Sequence, residues 1–271
     1  MMKNGEDAGW RLKKNEEKIM LTETFDKDTE QMISPEAVYG VREKVCDICI
    51  VTFSDVVVEE IRKNFDCTTV AEIGSVNGGR PIYLLEYKGK KIAFYMTMIS
   101  SAAAGACLEE ARCLTGAGSY IMFGSCGALN REITAGKIIV PTQAYRDEGL
   151  SYHYAPPADY ITMKNAGRVS EWLEEMGLPH VSGRTWTSDA IYRETKANVD
   201  KRKAEGCIAV EMECAGMQAV CDFRGLDLYY YLISGDLLDC EEWDMRILGD
   251  DEEKKHQLKN FYIALEMALK I

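Results

Sequence analysis

Four short stretches of this 271-residue chain carry the residue types from which a ligand site is built. Gly124-Ser125-Cys126-Gly127 brackets two small residues with glycines, the composition of a turn that lets backbone N–H groups approach a ligand. A polar run follows closely, with Arg146, Asp147, Glu148 and His153 as one wall of the same pocket. Glu211-Met212-Glu213 joins an apolar run to a helical one, and Ser234-Gly235-Asp236 closes another apolar run. Each has a plainer reading. Glycines are common at turns, a glutamate at a helix start complements the dipole, Arg146 can pair with Asp147 or Glu148, and Asp236 can cap a strand end. Ligands collect where the strands of open α/β sheets end, and four such ends in this order weigh more than any one.

The elements that must position them begin near Val45. CDICIVTF is a nearly continuous apolar run, as expected of a strand covered on both faces, and VVVEEIRKNF after it has helical character. PIYLLEYKGKKIAFYMTMI predicts a hairpin turning at Lys88-Gly89-Lys90. Ser100 or Ser101 caps a helix that runs to Thr115 and stops at Gly116; Ala104, Cys107, Leu108, Ala111 and Leu114 form its apolar stripe. SYIMFG is a strand ending in the glycine turn, and KIIVPT a strand stopped near Pro141. NAGRVSEWLEEMG predicts a helix ending at Gly177, and VSGRTWTSDAIY a strand followed by a loop. IAVEMECAGMQAVCDFRG joins a short strand to a helix closed by Gly225. LDLYYYLISGD is a further strand, and a last helix spans about Glu252 to Lys270. Strands alternating with helices define an α/β class with a largely parallel central sheet. Residues 1–34 lack such a period and form a polar arm, either a packing extension or a strap across a neighbouring subunit. Residues 35–271 form a single domain.

Composition narrows the functions. With 44 acidic and 32 basic residues the formal charge is −12, which repels phosphate backbones and argues against nucleic acid as a partner, though not against uncharged nucleosides or bases. No stretch reaches the ~18 apolar residues that span a bilayer, so no membrane partner is expected. The polar start of the chain lacks a secretory apolar segment, so the expected compartment is cytosolic (cytoplasmic), with the ten cysteines reduced. Cys46-Asp47-Ile48-Cys49 is the only CxxC, without the second pair or spaced histidines of a zinc site; buried structural thiols are expected there, and no metal.

In order and wording the stretches resemble the nucleoside phosphorylase family that includes uridine phosphorylase, hexameric purine nucleoside phosphorylase and methylthioadenosine nucleosidase. GSCGAL is similar to the family's phosphate loop, AGKIIVPTQAYRDEGLSYHYAPP to the uridine phosphorylase branch, AVEMECAG to the ribose-binding junction, TWTSDAIYRET to the base-side loop, and ISGD to the strand end that holds a catalytic aspartate in the purine enzymes. The resemblance implies a three-layer αβα fold with a twisted, mixed, partly barrel-like sheet. It also implies cleavage of an N-glycosidic bond, by default with inorganic phosphate as co-substrate, with no organic cofactor and in a homo-oligomer, a dimer or a trimer of dimers. Glu213 would grip the ribose hydroxyls and Asp236 would protonate the departing base. Met212, Glu211, His153, Tyr192 and Ile191 would bind substrate, and Gly124, Ser125, Arg146 and Arg80 would bind phosphate.

The departures concern the nucleophile and the base. The family's glycine-rich, arginine-bearing turn after the first strand reads VTFSDVVVEE, without glycine or arginine. Met122 stands where a phosphate arginine is expected, and MISS (98–101) replaces a GIGG turn. Ser-Gly-Asp is one residue longer than the usual Ser-Asp. Thr195 and Ala197, in the expected loop RETKANVD, replace a uracil-reading glutamine and arginine. Ile191 replaces a stacking phenylalanine, leaving that task to Tyr192 or Trp186. A nucleosidase that uses water, a non-catalytic nucleoside binder and a degenerate scaffold are therefore open alternatives.

Overall fold

The computed structural model describes residues 20–74, 76, 78–240, 243–245 and 251–271; KNEEK, in the polar arm, lies outside them. β1 (Ile48–Thr52) is buried at every position, which its unbroken Ile-Cys-Ile-Val run predicts for a strand between two helical layers. It is preceded by the short α1 (Pro35–Tyr39) and followed by α2 (Asp55–Asn64), capped by Ser54. β2 (Thr68–Ile73), not anticipated from sequence, pairs with β3 (Arg80–Tyr87) at the sheet edge. The hairpin of β3 and β4 (Lys90–Met96) turns through Lys88 and Gly89, both with positive φ, as a two-residue primed turn requires. α3 (Ser101–Thr115) ends at left-handed Gly116.

β5 (Ser119–Ala128), α4 (Arg131–Thr134), β6 (Ile138–Asp147), α5 (Ser151–Tyr154), β7 (Tyr160–Thr162) and α6 (Ala166–Glu175) follow. Then come β8 (His180–Ser188), α7 (Lys196–Ala204), β9 (Cys207–Glu211), α8 (Cys214–Arg224), β10 (Asp227–Leu237) and α9 (Asp251–Ala268). The sheet runs β10-β6-β8-β9-β5-β1-β4-β3-β2, and β10 also pairs with β5. That pairing closes β10, β6, β8, β9 and β5 into a five-stranded barrel from which β1, β4, β3 and β2 extend. Parallel and antiparallel pairings both occur, so the sheet is mixed rather than largely parallel. One apolar core lies between the sheet and α3 and α8, and a second between the sheet and α2, α6 and α9. The result is the expected three-layer αβα arrangement.

Three local expectations are corrected. Gly124-Ser125-Cys126-Gly127 is not a turn: β5 runs straight through it, paired with Leu232 to Asp236 of β10. The glycines are there because the barrel is crowded. A Cβ on Gly124 would lie 3.0 Å from the Phe53 ring, and one on Gly127 would lie 2.4 Å from Leu238. β6 does not stop near Pro141 but continues to Asp147 through a bulge between Pro141 and Gln143, the position at which a strand tolerates proline. RETKANVD is not a loop: Thr195 caps α7, its Oγ accepting from Asn198 N at 3.4 Å.

The long Ser-Gly-Asp is absorbed by another bulge. Ser234 pairs with Cys126 and Asp236 with Gly127, so Gly235 is the extra residue and Asp236 occupies the next ladder position after Ser234. Cys46 and Cys49 are buried thiols, and burial pushes both above the usual cysteine range. Among the described residues no helix is long and apolar enough to cross a membrane.

Candidate active site

Parallel pairing brings the ends of β1, β4, β5 and β10 to one edge, and the register Thr187↔Glu211 brings the ends of β8 and β9 together. Glu211 is the last residue of β9 and is 5 % exposed. Its carboxylate accepts from Glu213 N at 2.7 Å, Cys214 N at 2.6 Å and Thr187 Oγ at 2.5 Å. Thr187 Oγ in turn accepts from Ala215 N at 3.0 Å. Glu211 thus satisfies the first N–H groups of α8 and ties the helix to the barrel. Burial pushes its pKa up, and these donors pull it back.

Glu213 is the N-cap residue of α8 and is 5 % exposed, not the exposed first-turn residue of the plainer reading. Its carboxylate accepts from Ser100 N at 2.7 Å, a donor in the loop after β4 that sequence reasoning had assigned only to helix capping. Burial, then the charge of Glu211, raises its pKa to about 8. Ser101 Oγ donates to Met212 O at 3.0 Å, and a Cβ on Gly216 would fall 2.6 Å from Ser101 Cβ. Small residues on both helices therefore let α3 approach α8 and fix Glu213 against Ser100.

Ser100 has φ +88° and ψ 146°, a conformation that favours glycine. The turn thus holds a serine side chain in a backbone conformation that glycine adopts without strain. Only its N–H serves Glu213, so Ser100→Gly should retain the contact and raise stability by about 1 kcal/mol, seen as a higher melting temperature.

Asp236 is half-buried, and its carboxylate accepts from Trp243 Nε1 at 2.7 Å. It lies over Gly127, and its charge helps raise Cys126 and Glu194. Glu194, in the turn before α7, is raised to about 7, first by burial and then by Asp236. Sequence reasoning missed Glu194; its only signal was membership of TWTSDAIYRET. The barrel mouth therefore gathers two acidic pairs, Glu211 with Glu213 and Asp236 with Glu194, and Cys126 is raised by burial and by charge from both.

Of the other candidates, Met212 stands within this cluster, and the rest have the following surroundings in one protomer. Arg146 is 4 % exposed and bonds Ser151 Oγ at 2.8 Å, Pro156 O at 2.6 Å and Ala155 O at 3.3 Å, with Tyr152 under its guanidinium. It anchors the loop after α5. His153 is exposed on α5, its Nδ1 3.5 Å from Thr24 Oγ of the N-terminal segment. Ile191 is 50 % and Tyr192 95 % exposed, in a single turn before α7. Arg80 opens β3, with Nη1 3.4 Å from Gly78 O and a buried Nε lacking a hydrogen bond. Met212 is half-buried beside Glu213. Ser125 accepts from Gln257 Nε2 of α9 at 2.8 Å, and Gly124 lies under Phe53. Trp186 is buried and donates to Asp147 at 3.0 Å, so it does not offer a free ring face.

Comparison with known proteins agrees with this geometry. The profile of the phosphorylase superfamily matches residues 47–267. The chain is similar to the DeoD-type purine nucleoside phosphorylase of Caldanaerobacter subterraneus subsp. tengcongensis, at 25% identity over 68% of this chain and 78% of that protein. It is equally similar to that of Alkaliphilus metalliredigens, at 25% over 79% and 88%. Among solved structures, the Campylobacter jejuni 5'-methylthioadenosine/S-adenosyl homocysteine nucleosidase superposes with a TM-score of 0.66 at 18% identity, covering 83% of this chain and all of that one. With its barrel, its buried Glu211–Glu213 junction and a profile match over most of its length, the chain belongs to the phosphorylase superfamily.

Proposed function

We propose that the protein is a pentosyltransferase-type enzyme that cleaves the N-glycosidic bond of a nucleoside, with a purine or purine-like base. The observation that carries this is Glu213: a buried carboxylate at a strand–helix junction, held in place by Ser100 N. A carboxylate so placed grips sugar hydroxyls and favours the positive charge that grows at the anomeric carbon as the bond breaks. The purine preference rests on Asp236, which the Gly235 bulge returns to ladder phase, and on the purine-type names of the curated relatives. Glu194, raised to about 7 by burial and then by the charge of Asp236, suits proton donation to a ring nitrogen. The uridine-like run 146–154 supports fold position rather than base choice in this reading, since Thr195 and Ala197 belong to the start of α7.

The attacking group is phosphate or water, and no metal or organic cofactor takes part. A cytosolic homo-oligomer belongs to the same proposal: Tyr192, Ile191 and His153, exposed in one protomer, are then available to a second subunit. The experiment is base release from a panel of purine and pyrimidine nucleosides, with and without phosphate, for the wild type and Glu213→Ala. Release from purine nucleosides that is lost in the variant is expected. No release from any nucleoside, with nucleosides still raising the melting temperature, would leave a binder in place of an enzyme.

A further inference from the structure

The chain that leaves β10 turns back over the barrel mouth. Leu237 N donates to Asp244 O at 2.9 Å and Asp244 N to Leu237 O at 3.2 Å, an antiparallel bridge at the end of the strand. Three further bonds hold this return. Leu238 N donates to Ala128 O at 3.0 Å, Asp239 accepts from Arg131 N at 3.0 Å, and Lys203 of α7 pairs with the Asp239 carboxylate. Side chains alternate along such a pair, so with Leu237 opposite Asp244, Asp236 and Trp243 share the other face. Trp243 is 60 % exposed, yet its Nε1 donates to Asp236 Oδ2 at 2.7 Å, the length of a charge-assisted bond. The other oxygen, Oδ1, lies 3.4 Å from where a Cβ on Gly127 would stand. One carboxylate oxygen is thus turned to the indole and one to β5. The last torsion of an aspartate is broad, so a fixed donor on one oxygen sets how the carboxylate plane faces. Glu194, before α7, lies within reach of that charge.

We infer that Trp243 is a positioning residue for departure of the base: its indole N–H sets the plane of the Asp236 carboxylate beside Glu194, and that arrangement delivers the proton to the leaving ring nitrogen. The inference rests on the proposed N-glycosidic cleavage. In that step the C–N bond breaks and its electron pair leaves with the base. Glu194 gives its proton to a ring nitrogen, and an oxygen of phosphate or water bonds the anomeric carbon. Glu194 then regains a proton from water. Such a transfer needs heavy atoms within hydrogen-bond reach, and a misplacement of about 1 Å costs up to ~100-fold in rate. Burial and the nearby Asp236 charge keep the proton on Glu194 near neutral pH, so an Asp236 that drifts away leaves Glu194 more readily ionised. Indole is a donor only, so this tether does not depend on titration of Trp243.

The test compares wild type with Trp243→Phe, which keeps a ring and removes the N–H. Each protein is assayed on a purine nucleoside and on its N7-methylated analogue, whose positively charged base leaves without taking a proton. On the purine nucleoside, kcat should fall about tenfold in Trp243→Phe while KM stays within about twofold, the pattern of a loss confined to the transition state. On the methylated analogue the two proteins should match. The ratio of the two rates within one protein does not depend on how much of it is folded, so it stays decisive if the variant melts early. Equal falls on both substrates, or no fall on either, overturn the inference and leave N-glycosidic cleavage standing. Absence of base release by wild type from either nucleoside overturns the proposed function and the inference together.

Discussion

Glu213→Gln lowers kcat/KM for base release by about 100- to 1,000-fold, the usual effect of losing one charged group aimed at a developing transition-state charge. The amide keeps an oxygen for Ser100 N, so the fold is retained and the loss reports the charge. The pH dependence separates this role from packing. In the folded protein the carboxyl has a pKa of about 8, against an ordinary 4.5. The reactive carboxylate is therefore populated only as pH rises, and kcat/KM of wild type climbs toward pH 8. Stability moves the opposite way. A carboxyl whose pKa is raised on folding binds more protons in the native state, so its contribution is complete below about 4.5 and is lost as pH rises through about 8. Wild type should lose melting temperature across that window, and Glu213→Gln should flatten the curve. Parallel melting and rate profiles check both signs. A glutamine variant with unchanged kcat/KM would remove Glu213 from the reaction.

Glu211→Ala destabilises the protein by about 3–5 kcal/mol, since it strands the N–H groups of Glu213 and Cys214 and the Thr187 hydroxyl in a dry interior. All these neighbours donate, and only a carboxylate accepts from both sides at once. Glu211→Gln keeps one accepting oxygen for the two backbone groups but turns a donor toward Thr187. It should cost about 1–2 kcal/mol. Denaturant melts distinguish the two variants. Equal stability of Glu211→Ala and wild type would show that α8 is held by its packing alone. Activity should fall with Glu211→Ala even where it remains folded, because the backbone that carries Glu213 loses its tether.

The layer arrangement was legible because the signals are local and repeated. The apolar run at Ile48–Thr52, the stripe ending at Gly116 and the strand–helix junction before Gly225 each state their element without help from distant residues. Glu213 stood out through the resemblance of AVEMECAG to a ribose-binding junction, and the structure places it, buried, at the junction of β9 and α8. What remained hidden depended on neighbours across the sheet. GSCG has the composition of a turn, and only the proximity of Phe53 and Leu238 explains its glycines within a strand. Gln257 lies 132 residues from Ser125, and no spacing rule connects them. Arg146 has the character of an anion ligand in one dimension, yet two loop carbonyls and the Ser151 hydroxyl claim it once Pro156 folds back. β2 has half-exposed residues at a sheet edge and therefore lacks the clear alternation that marks a covered strand.

The bulge at Gly235 separates the length of β10 from its phase. A straight insertion would exchange inside for outside at every later position, sending Leu237 to the wrong surface of the cylinder. Because one residue is shunted out of the ladder, Asp236 and Leu237 face as they would in a shorter chain. Counting along the strand alone would misplace Asp236; its pairing sets it opposite Gly127.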